Sequence, residues 1–270
     1  MHYLNRELAS FTSDVWNRID QASAAAAREL LTARRFLDME GPFGVGLTSI
    51  EVGIDDYCRQ PAPEEAGAVL SRAIAMPMLR KGFGLSVRRM EGYMAMGQPL
   101  DLRPVEDAAE AVARREEAFI YYGQPDYGLE GLLTAQGRGE VRCDDWSKIE
   151  QALEDVLAAV NRLDDNGFHG PYALALSHTW YNLLFRRYEG TDMLQLEHLK
   201  RLCELGVFKA AIQGAVLVDS RAGRLIVGQD LMTGYSSNDG IHHQLFASES
   251  LVLLLEEPGA ICTLTRTAPA

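Results

Sequence analysis

Apolar residues spaced three and four apart mark the first long element of the chain. Val15, Ile19, Ala22, Ala26 and Leu30 form one stripe on a helix that begins near Thr12-Ser13-Asp14, where hydroxyl and carboxylate oxygens suit the free N–H groups of a first turn. A short alternating stretch, Phe36 to Met39, predicts a strand, and Gly41-Pro42 stops it because proline has no N–H for a ladder. The pattern then turns extended: Ile50 to Ile54 alternates, Tyr57 to Gly67 is polar and broken by Pro61 and Pro63, and Phe83 to Val87 alternates again. Two strands joined by a long tip predict a projecting arm, and an isolated hairpin needs a surface to lie on.

The strongest helical patterns lie in the middle of the chain. Pro104 to Tyr122 carries Val105, Ala108, Val112, Glu116 and Phe119 on one face, interrupted only by Glu116, with Gly123 expected as a left-handed cap. After Cys143, Asp144 and Asp145 are placed to cap a helix whose Ile149, Leu153, Val156, Val160 and Leu163 repeat regularly before Gly167. His169 to Leu176 predicts a strand, and Ser177 caps a short helix through Trp180, Leu183 and Leu184. A polar loop, Tyr188 to Asp192, precedes a third stripe at Leu196, Leu199 and Leu202. The last third is rich in aliphatic runs, Ala215–Val218, Leu225–Leu231 and Leu245–Leu255, expected as strands.

Composition narrows this picture without changing it. A chain of 270 residues, 47% hydrophobic and 24% charged, is large enough for a substantial core. It holds no run of about 18 apolar residues and opens without an export signal, which predicts a cytoplasmic protein with no membrane partner. Cys58, Cys143, Cys203 and Cys262 are far apart and predict four reduced thiols. A net charge of −12 argues against direct nucleic-acid binding, which needs clustered cations.

Catalytic patterns are missing. There is no Gly-x-Ser-x-Gly elbow, no phosphate loop and no His-Glu-x-x-His helix. The Gly41 to Gly46 cluster lacks the Lys-Ser/Thr of a phosphate cradle and leads into a strand. His242 and His243, adjacent on a strand, point to opposite faces and have no third ligand at sensible spacing. The pairs Asp55/Asp56, Asp144/Asp145 and Asp164/Asp165 sit where carboxylates cap helices or meet water. No catalytic residue, metal site or cofactor is expected.

Several segments together resemble the encapsulins, bacterial shell proteins related to the major capsid proteins of tailed phages. The matching stretches are Arg6-Glu7-Leu8-Ala9, Trp16, Arg34 to Pro42, Gly128 to Leu133, Gly170 to Leu176, Gly228-Gln229-Asp230-Leu231 with Gly234-Tyr235, Phe246 to Ser250, and Glu257-Pro258. The resemblance implies an α+β chain with the tailed-phage capsid fold, made of a peripheral domain, an extended loop and an axial domain. Residues 1–45 would hold the N-terminal helix and the start of the peripheral domain, 46–88 the extended loop hairpin, 89–135 the spine helix, 136–220 the axial domain and 221–270 the C-terminal peripheral strands. It implies self-assembly into an icosahedral shell around a cargo enzyme, a dye-decolorizing peroxidase or a ferritin-like protein, held by a C-terminal targeting peptide. The matching docking positions are Leu30, Arg34, Asp38, Gln229, Asp230 and Leu231, and the loop Tyr188, Glu189, Gly190, Thr191 and Asp192 would line a pore at the five-fold axis. Some encapsulins stack a flavin on a Trp in the strand after the extended loop. Val87 to Glu91 has none here, so no flavin is carried over. A prophage capsid protein packaging DNA shares the fold and is the alternative; a soluble enzyme or a small peptide-binding adaptor are readings of other classes.

Overall fold

A computed structural model describes residues 2–58, 63–64, 66–188 and 192–266, and of residues 2, 54–58, 68 and 70 the backbone alone. Helix α1 runs Ser13–Leu30, and the side chain of its N-cap Thr12 accepts from the Val15 amide. Its buried face is Val15, Trp16, Ile19, Ser23 and Ala27, while Ala22, Ala26 and Leu30 are half-buried beside it. The expected stripe therefore rotates by one position after Ile19. A 3-10 turn, Ala33–Arg35, separates α1 from strand β1, which is Asp38–Glu40 instead of Phe36 to Met39, with Phe36 and Leu37 buried before it. Gly41 ends β1 at φ 118°, and a Cβ there would lie 2.3 Å from the Val227 carbonyl oxygen, so only glycine fits.

The expected arm is present with a different partner. Strand β2, Ser49–Cys58, pairs antiparallel with β3, Ala68–Ala75, and these two make a separate sheet. Phe83 to Ser86 belongs instead to β4, Met78–Ser86, which pairs with a strand more than 150 residues further on. Local alternation identified the strand but carries no information on its distant partner. Val87 does not continue β4; it opens helix α2, Val87–Met96. Helix α3, Arg103–Tyr122, follows with Pro104 in its first turn. Gly123 after it has φ 68° and ψ −160°, which is not the left-handed helical region expected. Its Cβ would lie 2.3 Å from the Leu129 carbonyl oxygen, because the chain folds straight back on the helix end.

The second half begins with β5, Gly139–Cys143. Helix α4, Gln151–Asp165, starts at an N-cap Glu150, five residues after Asp145. Asp145 accepts from the Ser147 amide and hydroxyl in a local turn, and Asp164, at the far end of α4, accepts from Tyr172 OH and meets His169. Strand β6, Tyr172–Ser177, leads into α5, His178–Leu183, whose N-cap Ser177 accepts from Trp180 N. Helix α6, Gln195–Leu202, and strands β7, Gly206–Ala210, and β8, Ala215–Asp219, complete this half. The long β9, Gly223–Asn238, and β10, His242–Leu255, then form a hairpin, and β11, Ile261–Arg266, ends the described chain.

Two principal sheets result: a four-stranded one in the order β1-β9-β10-β4 and a five-stranded one in the order β5-β11-β8-β6-β7. The five-stranded sheet is covered on one face by α4 and α6 through Leu163, Leu174, Leu176, Leu199 and Leu217. Its other face, Ala173, Ala175, Val216 and Val218, joins a core shared with Leu225, Leu251 and Leu253 of the four-stranded sheet. Cys143, Cys203 and Cys262 are buried thiols, while the Cys58 side chain lies outside the described residues. Among the described residues no helix is long and apolar enough to cross a membrane.

Candidate functional site

Two adjacent glutamates on α3 organise the segment that leaves α1. Glu117 accepts from the amides of Thr32 and Ala33 at 2.9 and 3.0 Å and from the Thr32 hydroxyl, which in turn sits 2.9 Å from Tyr121 OH. Burial raises the Glu117 carboxyl above its ordinary range, against the hydrogen bonds from Thr32 and Ala33. Glu116 reaches the next residue: Arg34 Nε and Nη2 donate to its two oxygens at 2.5 and 3.0 Å. The same guanidinium donates to Glu249 Oε2 on β10 at 3.1 Å and to Asp230 Oδ1 on β9 at 2.7 Å. One cation therefore serves three carboxyl groups, two of them only 1% exposed and the third, Asp230, 59% exposed.

This charge balance has a direct electrostatic consequence. Burial works against the Arg34 charge, but Glu116, Glu249 and Asp230 outweigh it and hold the guanidinium ionised. Glu249 is pushed well above the carboxylate range, first by burial and then by the neighbouring Glu116 charge, with Arg34 pulling the other way. Its Oε1 has no hydrogen-bond partner among the described residues.

Register explains how Asp230 reaches this cluster. Along β9, Gln229 is opposite Ser250 and Met232 is opposite Ser248, so Asp230 and Leu231 together oppose the single residue Glu249. This bulge turns Asp230 to the side of Glu249 and Arg34, and Leu231 packs against the shared core. Leu30, half-buried at the last turn of α1, lies four residues before Arg34.

Not all the predicted docking residues gather here. Gln229 lies on the opposite face, with its amide donating to Ser250 Oγ and its side chain to Ser248, because it precedes the bulge. Asp38 is opposite Arg224, six residues along β9 from Asp230, which at ~3.3 Å per residue places it about 20 Å away. Sequence reasoning noted Glu116 only as a break in an apolar stripe and gave no role to Glu117 or Glu249. Two consecutive acids inside a buried face were the available signal, since a buried charge requires a partner.

The loop expected to line a pore is partly outside the described residues, namely Glu189, Gly190 and Thr191. At its base Arg187 and Leu194 form an antiparallel bridge, and Arg187 Nη1 lies 3.2 Å from the fully exposed carboxylate of Asp192. Tyr188 is half-buried and turned toward α6, its ring edge on His198 at 4.8 Å. Among the described residues no group of three or more His, Cys, Asp or Glu is placed to hold a metal. His242 is exposed and His243 buried, as neighbours on a strand must be.

The architecture defines a class first. The fold matches the virus-like particle of Pyrococcus furiosus with a TM-score of 0.73 at 19% identity, covering 93% of this chain and 99% of that one. It matches the capsid of the myovirus XM1 at 0.63 and 16% identity, covering 88% and 92%. These are capsid-fold particles, and the chain shares their α+β fold. The family described as "Encapsulating protein for peroxidase" matches residues 1–252. The type 1 encapsulin shell protein of Myxococcus xanthus is 31% identical over 265 residues, covering 92% of this chain and 91% of its own length, and that of Brevibacterium linens is 28% identical over 271 residues, covering 98% and 97%. The chain belongs to the encapsulin shell-protein family.

Proposed function

We propose that many copies of this chain close into an icosahedral shell in the cytoplasm and that its interior face holds a cargo enzyme by the cargo's C-terminal targeting peptide. The observation that carries this reading is the family match across residues 1–252, joined to a capsid fold that spans nearly the whole of a virus-like-particle subunit. The chain's role is then structural: closed symmetry multiplies each subunit contact, and chemistry belongs to the contents. A dye-decolorizing peroxidase or a ferritin-like protein is the expected cargo. A net charge of −12 favours a protein cargo over DNA, the content expected of a prophage capsid.

The docking surface we assign centres on Leu30, Arg34, Asp230 and Leu231, where apolar side chains flank a fixed ion pair and an extended peptide finds both a groove and a direction. Gln229, on the other face of the sheet, and Asp38, opposite Arg224, are left out of it. Replacing Leu30 and Leu231 with Asp is expected to abolish cargo loading while particles still form; cargo that co-purifies normally with such shells sinks the docking assignment, and shells rich in nucleic acid by absorbance ratio favour the capsid reading. The Tyr188 to Asp192 loop is assigned to a pore with an acidic mouth. Glu189→Gln combined with Asp192→Asn should slow cation entry, and unchanged uptake kinetics count against that pore.

A further inference from the structure

β1 pairs with only Arg224, Leu225 and Ile226 of β9, so among the described residues the outer edge of β9 beyond Gln229 has no strand neighbour. The segment preceding α1 wraps this edge. On one face of the sheet Tyr3 sets its ring edge on Phe246 at 5.6 Å and donates to Ser248 Oγ at 3.2 Å. At the edge itself Arg6 Nε donates to the Thr233 carbonyl at 2.8 Å, while its two Nη groups hold Asp20 of α1 at 2.8 and 2.6 Å. On the other face Phe11 packs edge-on against His243 at 4.7 Å, near Trp16 and Tyr235. Residues 246 and 248 alternate with 243 on the regular strand β10, so the strap passes from one face to the other around the edge. Covering an open edge in this way removes a template for strand pairing.

His243 is the anomalous member of the strap's seat. It is 3% exposed, and neither ring nitrogen has a hydrogen-bond partner among the described residues. Phe11 and Tyr235, which meet the ring, pack in one apolar cluster with Val15, Trp16, Leu85, Met90 and Leu245. A neutral imidazole leaves one donor and one acceptor unsatisfied there, and an imidazolium would leave two donors and a charge. The surrounding elements carry further charges, among them Arg88 and Arg89 on α2, Arg80 and Lys81 on β4 and Glu7 on the strap, but Glu91 is the one that bears on the ring. Glu91 on α2 favours protonation; Asp14 on α1 is engaged by Tyr93 OH and Arg18, Arg6 by Asp20, and Asp101 by Arg103 at the head of α3. The residues opposite His243 on β4 and β9, Leu85 and Asn238, are uncharged. Burial outweighs Glu91, and the ring's proton affinity falls below its ordinary value.

We propose that His243 is an acid-operated latch: its protonation expels the ring from the seat of Phe11, and the strap, residues 2–12, leaves the β9 edge and bares the backbone of Met232 to Tyr235. The direction follows from linkage. A histidine with a lowered folded-state pKa stabilises the closed form fully above about 6.5, and that stability is lost as pH falls below this value, until the buried ring itself accepts the proton.

Hydrogen exchange on the assembled protein, corrected for the intrinsic pH dependence of exchange, tests the latch. Between pH 7.5 and 5, protection across residues 3–12 should fall by about tenfold per pH unit below about 6.5, while protection of α4 stays constant. In His243→Gln and His243→Phe the same region should show no such fall; Gln keeps polarity without a titratable group, so one variant serves if the other fails to fold. Acid loosening that persists in the variants, or a parent strap indifferent to pH across this range, overturns the proposal.

Discussion

The two principal sheets share an apolar core but differ in the ionisable side chains buried with it. β6 and β8 of the five-stranded sheet are buried along almost their whole length by Leu, Ala and Val, with Asp219 at the end of β8 held by the Gly170 amide and Arg221. The four-stranded sheet and the helices over it bury Glu116, Glu117, Glu249, Gln229 and His243. In the first, stability follows from the apolar area removed from water, and any aliphatic of similar volume would serve. In the second it depends on particular partners, because a buried carboxyl or imidazole is costly unless matched. The contrast indicates where this chain carries specificity: the docking surface assigned to Arg34, Asp230 and Leu231 and the strap over His243 both lie on the polar sheet.

The largest expected break in this comparison is Arg34→Ala, which strands Glu116 and Glu249 in the interior and should destabilise the subunit by about 3–5 kcal/mol in denaturant unfolding. Its apolar counterpart, Leu217→Ala at a fully buried position of β8, should cost about 3 kcal/mol through a cavity. The pair separates the two sheets by their pH response, since only the Arg34 defect should shrink in acid, as the stranded carboxyls take up protons. A loss of equal size at pH 5 and pH 8 for both variants contradicts the contrast.

Glu249→Gln is the smallest change and the sharpest. A carboxyl whose folded-state pKa is raised binds its proton more tightly folded than unfolded, so it stabilises at low pH, and that contribution falls as pH climbs from the ordinary carboxylate value toward the raised one. Gln mimics the neutral form. The variant should lie within about 1 kcal/mol of the parent at pH 5 and lose less stability than the parent from pH 5 to pH 8. Parallel stability curves for the two proteins argue that Glu249 is ionised throughout.

Much of the fold was legible because the helices and buried strands carry their own periodicity. The stripes of α1, α3 and α6 and the aliphatic runs of β8, β9 and β10 are local properties, and the Thr12 and Ser177 caps follow from residue type at a helix start. What was misread depended on distant chain. β4 was recognisable as extended but was paired with β2 in the sequence reading, whereas its partner is β10; β3 passed unnoticed between the polar tip and Phe83, and α2 followed a strand with no break in pattern to announce it. At the candidate site, Arg34, Asp230 and Leu231 came from the family resemblance; alternation sets Gln229 and Asp230 on opposite faces, but no local pattern could show which of the two meets Arg34.

The sequence by itself determined the sites of the long helices, the aliphatic strands, the hard stop at Gly41-Pro42 and the family to which these words belong, because each is written in neighbouring residues. Tertiary structure alone decided the rest. It made Glu116 the partner of Arg34 across 82 positions, raised the proton affinity of Glu249 by burial and by crowding a second acid against the same guanidinium, and set Asp230 and Leu231 of β9 together opposite Glu249. It also drew Phe11 around a sheet edge onto His243. Charge, burial and register act through space, and a linear pattern holds no record of which distant residue will share a low-dielectric interior.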